Sequence, residues 1–214
     1  MQRIIRTGAL AAAMLLSAGA AQADIIFQAK MSHDQEVILG GIPHEGSSGY
    51  AVFRLNDAQT RLTYDVLLTG LDLGRVDPLT GNPNLATGID ADPNNDALRM
   101  HIHRALVGLN GGIVYGMIDA SPTLRNDNNP NDLFIDVLGL HIKGAWDFPE
   151  GNGVTLGGEL TNLLNGGLYI NVHTSDHAGG EIRGQIERIP EPGSIALLGL
   201  GLLGLVGMRR KKSV

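Results

Sequence analysis

Through the middle of this chain, apolar and polar residues alternate with a period of two. Leu62, Tyr64, Val66 and Leu68 alternate with Arg61, Thr63, Asp65 and Leu67, which predicts a strand with one buried face. A second run, Tyr50 to Asn56, lies just before it across the short polar stretch 57–61, and the two predict a hairpin. Further strands are expected at Leu98 to Arg104, Ile113 to Ile118, Phe134 to Lys143, Leu168 to Thr174 and Glu181 to Ile189. The turns Asn110-Gly111-Gly112 and Ser175 to Gly180 separate neighbouring runs, and Glu159 to Leu164 reads as a short helical turn. Two polar loops, Asp72 to Asp96 and Ser121 to Asp132, interrupt the pattern; the first is longer than most connections. Short strands, Gly-rich turns and no long helical period predict an all-β domain, a single antiparallel sandwich or barrel.

The two ends break this pattern. Arg3 and Arg6 precede the apolar run Ala9 to Leu16, and Ala21-Gln22-Ala23 follows as an A-x-A cleavage signal. This is the order of a secretory signal peptide over 1–23, helical in its apolar part, with the mature chain starting at Asp24. The run is too short to span about 30 Å of hydrocarbon. At the other end, 189–214 holds Pro190, Glu191 and Pro192, an apolar stretch from Ile195 to Met208, and the cluster Arg209, Arg210, Lys211 and Lys212. As a helix the apolar stretch is about 21 Å long, marginal for a permanent span, and the cations would hold its end on the cytoplasmic side. The working domain is therefore expected over 24–188.

Charge changes the picture once the ends are set aside. The whole chain carries −6, but six of its 16 Lys and Arg lie in the terminal segments, together with only one of its 22 acids, Glu191. The central domain therefore has 10 cations against 21 acids, a net of −11. Such a balance excludes nucleic acid and anionic membrane surfaces as expected partners. There is no Cys, so an oxidising compartment contributes no disulfide to stability.

Alternation also fixes the candidate chemistry. On the strand from Leu98 to Arg104, His101 and His103 face one way with Arg99, while Met100 and Ile102 face the other. Residues two apart on a strand are about 7 Å apart at Cα, close enough for two imidazoles to converge on one ion. His173 shares a face with Tyr169 and Asn171, and Glu181, Arg183 and Gln185 lie opposite Ile182 and Ile186. If these strands are neighbours, His101, His103 and His173 form a three-imidazole set suited to copper, zinc or nickel. Histidines on the wet side of a sheet would show the same spacing. The loop Asp90 to Asp96 offers oxygen ligands, but Asn95 stands at the EF-hand Gly position and His101 at the terminal Glu position. A solvated loop is therefore favoured over calcium there. Asn126 to Asp132 is no stronger. No nucleophile elbow, phosphate loop or HExxH signature occurs.

Two resemblances complete the reading. The tail, with Pro190-Glu191-Pro192-Gly193-Ser194, the apolar stretch and the basic end, resembles the PEP-CTERM sorting signal. That family implies a Gram-negative bacterium, processing by an exosortase after passage through the secretion machinery, and only transient membrane anchoring. It further implies delivery to the cell surface or beyond, often alongside exopolysaccharide. The domain resembles the CHRD (chordin-type) family. The matching stretches are Asp34-Gln35-Glu36-Val37, Gly49 to Phe53, Leu62-Thr63-Tyr64, His101-Ile102-His103, Gly167 to Thr174 and Gly179 to Ile186. The resemblance names the domain better than the activity; the expected function is an exported cell-surface or matrix-associated binding or structural module. A fainter likeness to copper,zinc superoxide dismutase implies a Greek-key sandwich with His101, His103 and His173 as metal ligands. By the same likeness Arg183 faces the site with Asn171 nearby, and the alternative function is a metal-dependent redox enzyme. No bridging His and no Cys pair accompanies that likeness.

Overall fold

The computed structural model describes residues 24–37, 46–73, 96–136 apart from 120, 122, 128 and 130, then 138 and 140–190. The expected signal segment with Ala21 and Ala23, most of the 72–96 loop, and Glu191, Pro192 and the rest of the tail lie outside the described residues.

Among the described residues ten strands form a single antiparallel sheet: β1 (Ile25–Ser32), β2 (Ser48–Leu55), β3 (Arg61–Thr69), β4 (Ala97–Arg104), β5 (Ile113–Ile118), β6 (Phe134–Asp136), β7 (His141–Asp147), β8 (Leu168–Thr174), β9 (Ile182–Gln185) and β10 (Glu187–Arg188). A helix, α1 (Leu156–Leu164), stands between β7 and β8, and a 3-10 turn covers His33–Gln35. The spatial order is β5-β4-β8-β9-β1-β2-β3-β7-β6, with β10 also on β1. The all-β antiparallel expectation is met, and its layers are parts of one sheet that curls over a shared core.

The seam explains the curl. β9 pairs with β8 over four residues but meets β1 only at Ser32–Arg183. At Ile186 the chain steps across, its amide donating to Leu168 O, and β10 then pairs with Phe27 and Gln28 of β1. One strand thus serves both halves, which is how a sheet turns a corner. Gly184 sits at the step: a Cβ there would lie 2.7 Å from Lys30 O, so the backbones meet only because this residue has no side chain.

Alternation then builds the core. Phe27, Ala29 and Met31 of β1 pack with Phe53, Leu62, Tyr64, Val66, Met100, Ile102, Ile170, Val172 and Ile182, all buried. β1 was not anticipated from sequence, although Phe27, Ala29 and Met31 alternate with Gln28, Lys30 and Ser32. The run expected over 134–143 is two strands. Leu140, at φ 51°, turns the chain between them, and β7 continues to Asp147 to bury Trp146. The helical turn expected from Glu159 starts earlier: Thr155 caps it, its Oγ1 accepting from Gly158 N at 3.3 Å, and Leu156 and Leu163 enter the core.

Glu159, in the first turn of α1, has a buried carboxylate. Arg104, at the end of β4, binds it in a two-pronged contact, Nε–H to Oε2 at 3.1 Å and a closer Nη2–H to Oε1, and Asn162 Nδ2–H donates at 2.8 Å. The Arg104 side chain is 47% exposed, so solvent screens the contact, and Asn162 still holds the acid when the guanidinium is removed. Arg104→Ala should cost about 1–2 kcal/mol and lower the melting temperature by about 3–6 °C. Adding Glu159→Leu should recover most of the loss in thermal unfolding.

Candidate metal centre

β8 is buried on both faces, and this creates the site. Ile170 and Val172 face the core, while Tyr169, Asn171 and His173 point outward under a roof of loops. β4 lies on one side in register, pairing His101 with Asn171 and His103 with Tyr169, and β9 lies on the other, pairing Asn171 with Arg183. The outward faces of three adjacent strands therefore form one sheltered polar floor. β-bulges against β5 fall on both sides of His101-Ile102, where added twist re-aims side chains.

His101, His103 and His173 meet on this floor. Each offers one ring nitrogen, and the three atoms lie within 4.8 Å of one another. The residues are only 2%, 8% and 7% exposed, so they are not solvated surface histidines. Among the described residues no other group of three such side chains converges in this way.

The opposite ring nitrogens are all tied down. His103 Nδ1 bonds Gly111 O and His173 Nδ1 bonds Ala178 O, each at 3.0 Å. A carbonyl only accepts, so both Nδ1 atoms carry hydrogen and both Nε2 atoms present lone pairs. His101 Nε2 bonds Asp119 Oδ2 at 2.7 Å, which leaves Nδ1 as the free atom of that ring. His101 Nδ1, His103 Nε2 and His173 Nε2 are buried and without a hydrogen-bond partner. Three unsatisfied buried acceptors aimed at one point are costly, each about 1–3 kcal/mol, unless a cation is shared among them. Second nitrogens held by a carboxylate or carbonyl are also how proteins orient imidazole ligands to metals.

Electrostatics keeps the rings neutral. Burial lowers the pKa of His101 and His173 to about 3, with the neighbouring His rings and Arg99 adding to the effect. His103 is lowered by burial, opposed by its bond to Gly111 O. Neutral imidazole is the metal-ligating form.

The supporting residues are outside the reach of sequence patterns. Asp119 follows β5 with no spacing signal, and Gly111 and Ala178 hold the histidines through backbone carbonyls. The turn bearing Ala178 is pinned by Glu181, which accepts from Ser47 at 3.1 Å and Thr174 at 3.2 Å and pairs with His177. The ring of His33 bonds Glu181 O at 2.9 Å. Gly180 closes the same turn at φ 140°, where a Cβ would lie 2.6 Å from Asn171 Nδ2 and 2.7 Å from Glu36 Oε1. Burial pushes the Glu36 carboxyl up to about 7, with Arg183 opposing and Glu181 adding.

Arg183 lies on the same floor, one strand beyond the triad. Its guanidinium carbon sits 3.4 Å from the centroid of the Tyr169 ring, and that ring stacks on His103 at 4.9 Å and 12°. Its Nη atoms donate to Asn110 Oδ1 and Leu106 O, both at 3.3 Å, so it braces the β4–β5 loop over the site. Asn171 stands between His101 and Arg183, and its Oδ1 is buried without a hydrogen-bond partner. Of the calcium loop only Asp96 is described; it is buried and bridges Asp72.

The family model for the CHRD domain matches residues 27–186, and that for the PEP-CTERM protein-sorting motif matches 188–211. Searches of curated proteins and of solved structures found no significant match. The motif implies export, processing by an exosortase, and a C-terminal signal that transits the membrane. No helix among the described residues is long and apolar enough to cross a membrane. With its model matched from the first core strand to the last, the chain belongs to the CHRD domain family and ends in a PEP-CTERM sorting motif.

Proposed function

We propose that the domain over 24–188 is an extracellular binding or structural module that holds a transition metal, copper or zinc, through His101 Nδ1, His103 Nε2 and His173 Nε2. Signal cleavage after Ala23 and sorting through Pro190-Glu191-Pro192 would deliver it to the cell surface or matrix, with exopolysaccharide as a candidate partner. One observation carries the metal assignment: three buried imidazole lone pairs converge, while every opposite nitrogen is held by a carboxylate or carbonyl. Three neutral nitrogens suit borderline and soft ions and leave a further coordination position for another ligand.

One feature favours a second reading, a redox enzyme of the superoxide dismutase type. Arg99, half-buried and paired in register with His173, acts electrostatically on His101 and His173 and has no carboxylate partner among the described residues. Such a cation could draw small anions to a bound metal.

Elemental analysis of the tag-free protein tests the metal. The parent should retain about one equivalent of copper or zinc after dialysis, and His101→Ala/His103→Ala should retain none. Equal content in both would remove the site. Superoxide turnover by the copper-loaded parent, lost in the double variant, would select the redox reading.

A further inference from the structure

The loop that roofs the site has an unusual outer surface. Between Arg104 and Ile113 it reads Ala-Leu-Val-Gly-Leu-Asn-Gly-Gly, without a charge. Leu106, Val107 and Leu109 are 59%, 73% and 58% exposed. They cannot turn inward, because the polar groups of the loop are fixed below. Leu106 O accepts from Arg183, Ala105 O from Gln185 at 3.0 Å and Gly111 O from His103, and Gly111 N–H donates to Tyr169 Oη at 3.3 Å. A rigid loop thus presents three large apolar side chains to solvent in a domain of net charge −11.

Strand register places this loop at the end of the sheet where the chain leaves the domain. β4 finishes at Arg104 opposite Leu168, and Gln185 reaches back to Ala105 O. Four residues later Ile189 N–H donates to Ile26 O, and Pro190 opens the sorting tail. Exposed Phe148, following β7, lies at this same end, since its amide donates to Thr60 O.

We propose that Leu106, Val107 and Leu109 seat the domain on a phospholipid bilayer while the tail is in the membrane. The tail brings this end of the domain to the lipid surface, and an uncharged apolar tip is what the interfacial region accepts. Acidity elsewhere keeps the rest of the domain away from anionic headgroups. This inference rests on the sorting motif and is independent of the metal.

The absence of cysteine allows a clean test in the full chain, reconstituted in phosphatidylcholine vesicles. Val107→Cys and Leu138→Cys would each carry an environment-sensitive dye. Leu138 is 83% exposed and lies at the opposite end, before His141, which pairs with Leu67 late in β3. The dye at position 107 should shift to the blue and lose about twofold in intensity with a nitroxide on the upper acyl chain, the depth where interfacial apolar groups sit. The dye at 138 should do neither, and Leu106→Ser/Leu109→Ser should weaken the quenching at 107. No lipid quenching at 107, or equal quenching at both positions, overturns the proposal. A blue shift that follows protein density without lipid quenching also overturns it, by making a second copy of the chain the occupant.

Discussion

Saturating zinc or copper should raise the melting temperature of the metal-stripped protein by about 10 °C. A ligand at a thousand times its dissociation constant stabilises the native state by about 4 kcal/mol, and each kcal/mol moves the midpoint of a domain this size by about 2–4 °C. The structure supplies the reason for selective binding to the native state. The three lone pairs converge only when β4 and β8 are paired and the two roofing loops are closed, because Gly111 O and Ala178 O set the tautomers. The same titration on His101→Ala/His103→Ala should move the midpoint by less than about 2 °C. Asp119→Asn should give an intermediate shift, since it weakens the hold on His101 without removing a ligand. Thermal unfolding with and without metal reads all three.

Acid should destabilise the metal-free protein in a narrow window. His101 and His173 have folded pKa values near 3 against 6.5 when unfolded. Below pH 6.5 the unfolded chain takes up protons that the native site refuses, so these rings lower stability as pH falls toward 3. Glu36 and Asp127 act in the opposite direction. Burial raises them to about 7 and about 6, so the native state holds protons that the unfolded chain has released, and their contribution is lost as pH rises through those values. From about pH 6 to 4.5 the carboxyls oppose the histidines, so the loss is gentle. Below about pH 4 the unfolded carboxyls are themselves protonated and the histidines act unopposed, steepening the fall to about 3 kcal/mol per pH unit. Denaturant titrations should show a gentle loss followed by this steeper fall, and His101→Ala/His173→Ala should make the fall shallower. Metal affinity should fall less between pH 7.5 and 5 than at an exposed site, because burial lowers all three rings and His101 and His173 have no protons to release there. An ordinary surface His site would lose affinity below its pKa of about 6.5.

Much of this was legible in the sequence, for identifiable reasons. Strand alternation placed His101 and His103 on one face and His173 beside Tyr169 and Asn171, because a period of two leaves no other choice. It left open whether β4 and β8 are neighbours, since 63 residues separate Arg104 from Leu168 and register between distant strands has no local signal. Burial of the triad was hidden as well. A polar outward face reads as wet, and only the loops that cover it make it dry. Asp119 and the carbonyls of Gly111 and Ala178 were invisible because their role depends on where loops close. β1 gives a weak signal because its alternating apolar positions include Ala29, a poor strand former, between Phe27 and Met31. The seam at Gly184, which lets one strand serve both halves, depends on a backbone approach that no single-residue pattern reveals.

The central claim is that three imidazoles share one ion, and X-ray absorption at the metal edge of the loaded full-length protein addresses it most directly. The expected spectrum has about three nitrogen scatterers near 2.0 Å with the outer-shell features of imidazole rings, and these are lost in His101→Ala/His103→Ala. A first shell of oxygen alone, or an imidazole signal unchanged in that variant, would contradict the account.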